Sequence, residues 1–147
     1  MSKELEISEY EDYIKRFDNM RQRFDLFLQD FLIDMAERVI DRTKKRTPVG
    51  TPESTGIPGY VGGSLRGAWQ LGDITKKSDT LEVEILNGME YATFIEYGHR
   101  ITSGGITIGW REGRFMLTIS TDEVRKQMPL RFEKAVKQFM STYRVGE

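Results

Sequence analysis

The sequence contains no cysteine and a single histidine, His99. The first absence removes disulfides, thiolate nucleophiles and every cysteine-based zinc or iron–sulfur site. It also fits a chain made in a reducing cytoplasm. The second leaves any histidine chemistry short of partners, because a catalytic imidazole needs a nucleophile or base and a metal-bound one needs further ligands. Glu96, Thr102 and Ser103 are close to His99 in sequence, but there is no second imidazole. His99 therefore reads as a residue of a glycine-edged loop bonding to backbone. No catalytic residue, metal ligand or cofactor is expected. A basic excess is missing too. Lys plus Arg number 22 against 23 Asp plus Glu, a formal net charge of -1, whereas proteins built to grip nucleic acid usually carry surplus positive charge. No apolar run approaches the ~20 residues that cross a bilayer. The opening Met1-Ser2-Lys3-Glu4-Leu5-Glu6 is acidic and lacks the apolar stretch of a signal peptide. The chain is expected to be soluble, with no membrane partner.

What is present is enough for one domain, residues 1–147, with 38% hydrophobic and 31% charged residues. Residues 10–46 read as a helix. Tyr10, Phe17, Phe24 and Phe31 recur every seven positions, Ile14, Met20, Phe27, Leu28, Met35 and Val39 fill in beside them, and charged residues lie off the stripe. Arg42, Lys44, Lys45 and Arg46 suit the negative end of the helix dipole, and Pro48 stops the helix. Such a helix would be ~55 Å long at 1.5 Å per residue, against a domain diameter of ~40 Å. Either it breaks near Asp18-Asn19, or its first part projects with Tyr10, Tyr13 and Phe17 uncovered.

Glycines and prolines make residues 47–63 a loop, with Tyr60 on it. Its glycines lack the preceding strand and following Gly-Lys-Ser/Thr of a phosphate-binding loop. Residues 64–90 hold two strands, Ala68 to Lys77 and Thr80 to Leu86. In the second, Leu81, Val83 and Ile85 alternate with Glu82 and Glu84, and the pair reads as a hairpin turning at Lys77-Ser78-Asp79. Tyr91 to Tyr97 is helix or strand. Gly98 to Gly113 reads as a second long glycine-rich loop whose Ile106, Ile108 and Trp110 are unexpectedly apolar. A capping box at Ser120-Thr121-Asp122-Glu123 is expected to open a helix over 120–143, which Pro129 should kink or divide. The class is α+β: a long N-terminal helix and a C-terminal helix packed on a small antiparallel sheet, with long glycine-rich loops.

Three segments resemble a known family. They are Lys44-Lys45-Arg46-Thr47-Pro48-Val49-Gly50-Thr51, resumed at Gly63-Ser64-Leu65-Arg66-Gly67-Ala68-Trp69; then Asn87-Gly88-Met89-Glu90-Tyr91-Ala92-Thr93-Phe94-Ile95-Glu96-Tyr97-Gly98-His99; and Gly113-Arg114-Phe115-Met116-Leu117. In order and spacing this resembles the gene-product-ten-like tail-component family of long-tailed bacteriophages, whose members are neck or tail-completion (head–tail connector) proteins. The insertion from Thr51 to Gly62 departs from the family pattern. The resemblance implies a non-enzymatic virion protein of the head–tail junction, made in the bacterial cytoplasm. It implies a ring homo-oligomer, typically a hexamer, between the head connector and the tail tube or terminator proteins. Genomic DNA would pass its lumen without specific binding.

A ring needs one face of a subunit to meet a different face of the next. The candidates for those faces are Tyr10, Tyr13 and Phe17 on one side and Tyr60, Ile106, Ile108 and Trp110 on the other. Arg42, Lys44, Lys45 and Arg46, with Arg66 nearby, are the candidate DNA-facing residues, set against the plainer reading of a helix end complementing its dipole. A DNA-binding accessory protein using that cluster is the alternative function. A small hydrolase using His99 with Glu96 ranks below it.

Overall fold

A computed structural model describes the backbone of residues 8–144 and the side chains of residues 11–142. Helix α1 (Ser8–Arg46) runs unbroken for 39 residues. No glycine or proline interrupts it, so nothing in the backbone chemistry forces a break at Asp18-Asn19. Of the two outcomes open for so long a helix, projection holds: every side chain from Glu11 to Asn19 is exposed. The last turn carries Lys44, Lys45 and Arg46, and Pro48, lacking an N–H, ends the helix.

Two single-turn helices follow, α2 (Pro52–Thr55) and α3 (Ser64–Gly67), within the stretch read as loop and the start of the strands. In α2 the Thr51 hydroxyl accepts from Ser54 N–H, the Ser54 hydroxyl accepts from Thr51 N–H, and Gly56 closes the turn in the left-handed region. Strands β1 (Trp69–Lys77) and β2 (Thr80–Asn87) form the expected hairpin, with a bulge between Leu71 and Ile74. Leu81, Val83 and Ile85 are half-buried while Glu82 and Glu84 are exposed. The ambiguous segment is helical, α4 (Ala92–Tyr97).

The stretch Gly98 to Gly113 is not a loop. It is a second antiparallel hairpin, β3 (Gly98–Ser103) with β4 (Ile106–Glu112), turning at Gly104-Gly105, where both glycines have positive φ. A two-residue glycine turn flanked by alternating side chains is a hairpin signal. The two hairpins make separate two-stranded sheets, so no single sheet unites them among the described residues.

Helix α5 (Met116–Arg144) starts four residues before the capping box placed at Ser120. Ser120 is fully buried inside the helix and its Oγ donates to Met116 O at 2.6 Å, the back-bonding habit of a serine within a helix. The cap comes from a distant residue. Glu96 of α4, itself buried, accepts from Leu117 N at 3.1 Å, Thr118 N at 2.9 Å and Thr118 Oγ1 at 2.8 Å. Pro129 does not divide α5.

α1 and α5 pack antiparallel. Phe31 meets Phe132 with ring centroids 5.2 Å apart, and Phe27 and Phe24 meet Phe139 at 5.0 and 5.8 Å. Met35, Val39 and Val124 continue this seam, and Ile40, Leu65, Trp69, Ala92 and Met116 form the neighbouring core. Half-buried Ile85 and Leu117 touch both clusters.

Candidate assembly surfaces

The residues that carry the family motifs are mostly scaffold. Thr47 is 1% exposed and sits where α1 stops. Its Oγ1 donates to Thr43 O at 2.7 Å and accepts from the Trp69 indole N–H at 2.9 Å, while Arg66 donates twice to its carbonyl, at 2.8 and 3.2 Å. A guanidinium on a terminal helix carbonyl both satisfies an orphan acceptor and meets the negative end of the dipole. Asn87 links the next motif to the same region: its Nδ2 donates to Leu65 O at 2.9 Å and its Oδ1 accepts from Met89 N at 3.0 Å. Gly98 has φ 86° and lies against the Arg111 carbonyl so closely that a Cβ would collide with it. That position requires glycine.

The basic helix end is largely engaged within the chain. Arg42 Nη1 reaches Glu123 Oε2 at 2.6 Å and Arg46 Nη2 reaches Glu123 Oε1 at 2.5 Å. Arg46 also donates to Ser120 Oγ at 3.1 Å, and Arg42 to Gln127 Oε1 at 3.4 Å. The hydrogen bond from Arg42, joined by the charges of both arginines, holds the Glu123 carboxyl below its ordinary value. Lys45 is exposed and Lys44 half-buried. Charge there stitches α1 to α5 more than it faces outward.

His99 lies on β3, not in a loop, and its Nδ1 is buried without a hydrogen-bond partner. The ring meets Phe94 edge-on at 6.0 Å. Glu96, the acid that a catalytic pair would need, is occupied as the cap of α5. No group of three or more His, Asp or Glu residues able to hold a metal occurs among the described residues. A cleft of about 730 Å³ opens beside His99 between residues 48–65 and the α4–β4 region, with Tyr60, Arg111 and Arg114 on its walls.

Two apolar surfaces stand uncovered. The arm of α1 exposes Tyr13, Ile14 and Phe17, the last 71% exposed; the side chain of Tyr10 lies outside the described residues. The β3–β4 hairpin exposes Ile106 (70%), Ile108 and Trp110 (59%), and its main packing within the chain is against α4. Tyr60 is exposed at the cleft, with Ile57 and Val61 exposed beside it. Each feature alone is ordinary, but contiguous apolar side chains on projecting elements mark interaction surfaces.

Compared with protein families, residues 11–98 match the family described as "Bacteriophage HK97-gp10, putative tail-component". That span exceeds half of the 147 residues. The chain belongs to this family. Neither the curated proteins nor the solved structures gave a match.

The tail-component match runs from the arm of α1 through α4 to the first residue of β3, so it includes the Thr47 latch and Gly98. The rest of the second hairpin and all of α5 lie beyond it. As a bacteriophage tail component, the protein is a virion structural protein that assembles with other phage structural proteins. Among the described residues no helix is long and apolar enough to cross a membrane. Reading from sequence missed the roles of Glu96 and Glu123, whose partners are 21 or more residues away, beyond the reach of any local pattern.

Proposed function

We propose that this tail component is a neck or tail-completion subunit that assembles through copies of itself into a ring, hexameric in keeping with the family resemblance. The ring joins the tail to the head connector, DNA passes its lumen without specific binding, and the chain carries no catalysis. The observation that supports the reading best is the coexistence of two separated apolar surfaces, the α1 arm and the β3–β4 hairpin, on one small chain. Two different faces are what a head-to-tail contact requires, and repeated head-to-tail contacts form a ring when the rotation between copies closes. The near-neutral net charge of -1 suits a channel that must release the genome. The DNA-binding alternative is weakened by the engagement of Arg42 and Arg46 with Glu123.

The test is substitution at each face. Phe17→Ser and Trp110→Ser alter exposed side chains, so thermal unfolding of the isolated chain should move by no more than surface changes do, about 0.5 kcal/mol. Each should reduce incorporation into tails in an assembly extract at least tenfold. Normal incorporation of both variants would refute the reading.

A further inference from the structure

An open apolar groove of about 460 Å³ runs between α1 and α5. Leu28, Phe31, Leu32, Met128 and Phe132 line it, Leu81 of β2 closes one side, and Arg125 stands at its rim. Pro129 lies in its wall and offers no N–H to a ligand, so the groove presents almost nothing but hydrocarbon. Resting on the assembly reading above, we propose that this groove receives the α1 arm of a second copy, and that this is the joint between successive subunits.

The arm has the form such a groove takes. Positions 10, 13, 14 and 17 carry Tyr, Tyr, Ile and Phe, the i, i+3, i+4, i+7 spacing with which an amphipathic helix fills an apolar groove. Tyr13, Ile14 and Phe17 are uncovered, whereas farther along the same helix Phe24, Phe27 and Phe31 are covered by α5 of their own chain. The arm thus continues an existing helix–helix seam past the point where the chain supplies a partner. Glu11 and Asp18, three residues before and four after Ile14, flank the apolar face. Their charge complements Arg125, whose side chain is 72% exposed and pairs with Asp122 at 3.5 Å.

The arm that fills the groove must belong to another copy. Phe17 and Phe31 stand on one unbroken helix, about 21 Å apart along its axis, so no arm reaches the groove of its own chain. Arm-in-groove is therefore a contact between unlike faces. It propagates from copy to copy and closes where the rotation allows.

The lack of cysteine makes the joint directly testable. A Lys15→Cys/Asp122→Cys chain, changed at exposed positions beside the apolar face of the arm and beside the groove, is treated with a short bismaleimide under assembly conditions, alongside a Thr107→Cys/Asp122→Cys control and each single variant. The expected result is a covalent ladder of dimers, trimers and larger species from the first pair, with single variants stopping at dimers and the control giving at least tenfold less. A ladder from the control pair alone places the hairpin in the groove and overturns the inference while sparing the assembly reading. Equal ladders from both pairs mark unspecific collision and overturn it also. Absence of any ladder from chains that sediment as oligomers does the same. Absence of both ladder and oligomer, with no incorporation into tails, overturns the joint and the assembly reading together.

Discussion

Replacing Thr47 by valine preserves size and branching but removes the oxygen that accepts from the Trp69 indole and donates to Thr43 O. Trp69 is 5% exposed, so its N–H would be left buried without a partner, which costs about 1–3 kcal/mol. Urea unfolding of Thr47→Val should show that loss with an unchanged denaturant slope. Glu123 makes a different prediction. Its carboxyl lies below its ordinary value in the folded chain because of Arg42 and then Arg46, whereas in the unfolded chain it titrates near ~4.3. A lowered folded value means the contribution is complete above about pH 4.3 and fades as pH falls through the folded value. Stability measured from pH 7 to 2 should therefore fall less steeply at the acid end for Glu123→Gln than for the wild type. An identical acid limb would show that the two arginines do not hold this charge. The basic cluster was legible in the sequence as a helix end. Its attachment was not, because Glu123 is 77 and 81 residues from its two partners. Likewise Ser120 carries a capping-box spacing yet lies inside α5, because the Glu96 carboxylate supplies the cap from another element.

The elements differ in how much of their stability they owe to the rest of the chain. β1 and β2 lie against α1 and carry Trp69 into the core. β3 and β4 pack chiefly on α4, and all but three of their residues are exposed. A two-stranded hairpin with little support is marginal in water, and exchange protection follows local packing. In the free chain the amides of β3 and β4 should exchange at least tenfold faster than those of β1 and β2, and they should slow on incorporation into tails. Equal protection in the free chain would contradict the account of this hairpin as an element awaiting a partner. The first hairpin was readable because one face is buried and Leu81, Val83 and Ile85 alternate with glutamates. The second alternates too, with Ile106, Ile108 and Trp110 at every other position, but none of these is buried. Gly104, Gly105 and Gly109 read as loop punctuation, though the first two form the turn. α1 was legible almost to the residue, since 39 uninterrupted helix-compatible positions leave the chain few choices.

For the molecule as a whole, the long helix decides the architecture. A 39-residue α1 spans about 58 Å, and α5 and the first hairpin cover its middle and C-terminal part. What remains is an arm with aromatic side chains facing water and, elsewhere, a hairpin and a groove with the same character. Membership of a bacteriophage tail-component family gives those surfaces a context in which they are covered. Oxidative hydroxyl-radical footprinting read by mass spectrometry, on the free chain and on intact virions, follows the side chains directly. Tyr13, Phe17 and Trp110 should lose most of their reactivity in the particle, about tenfold, while exposed Lys45 changes little. Equal labelling of the three aromatic residues in both states would contradict the claim that this protein acts by burying them against its neighbours.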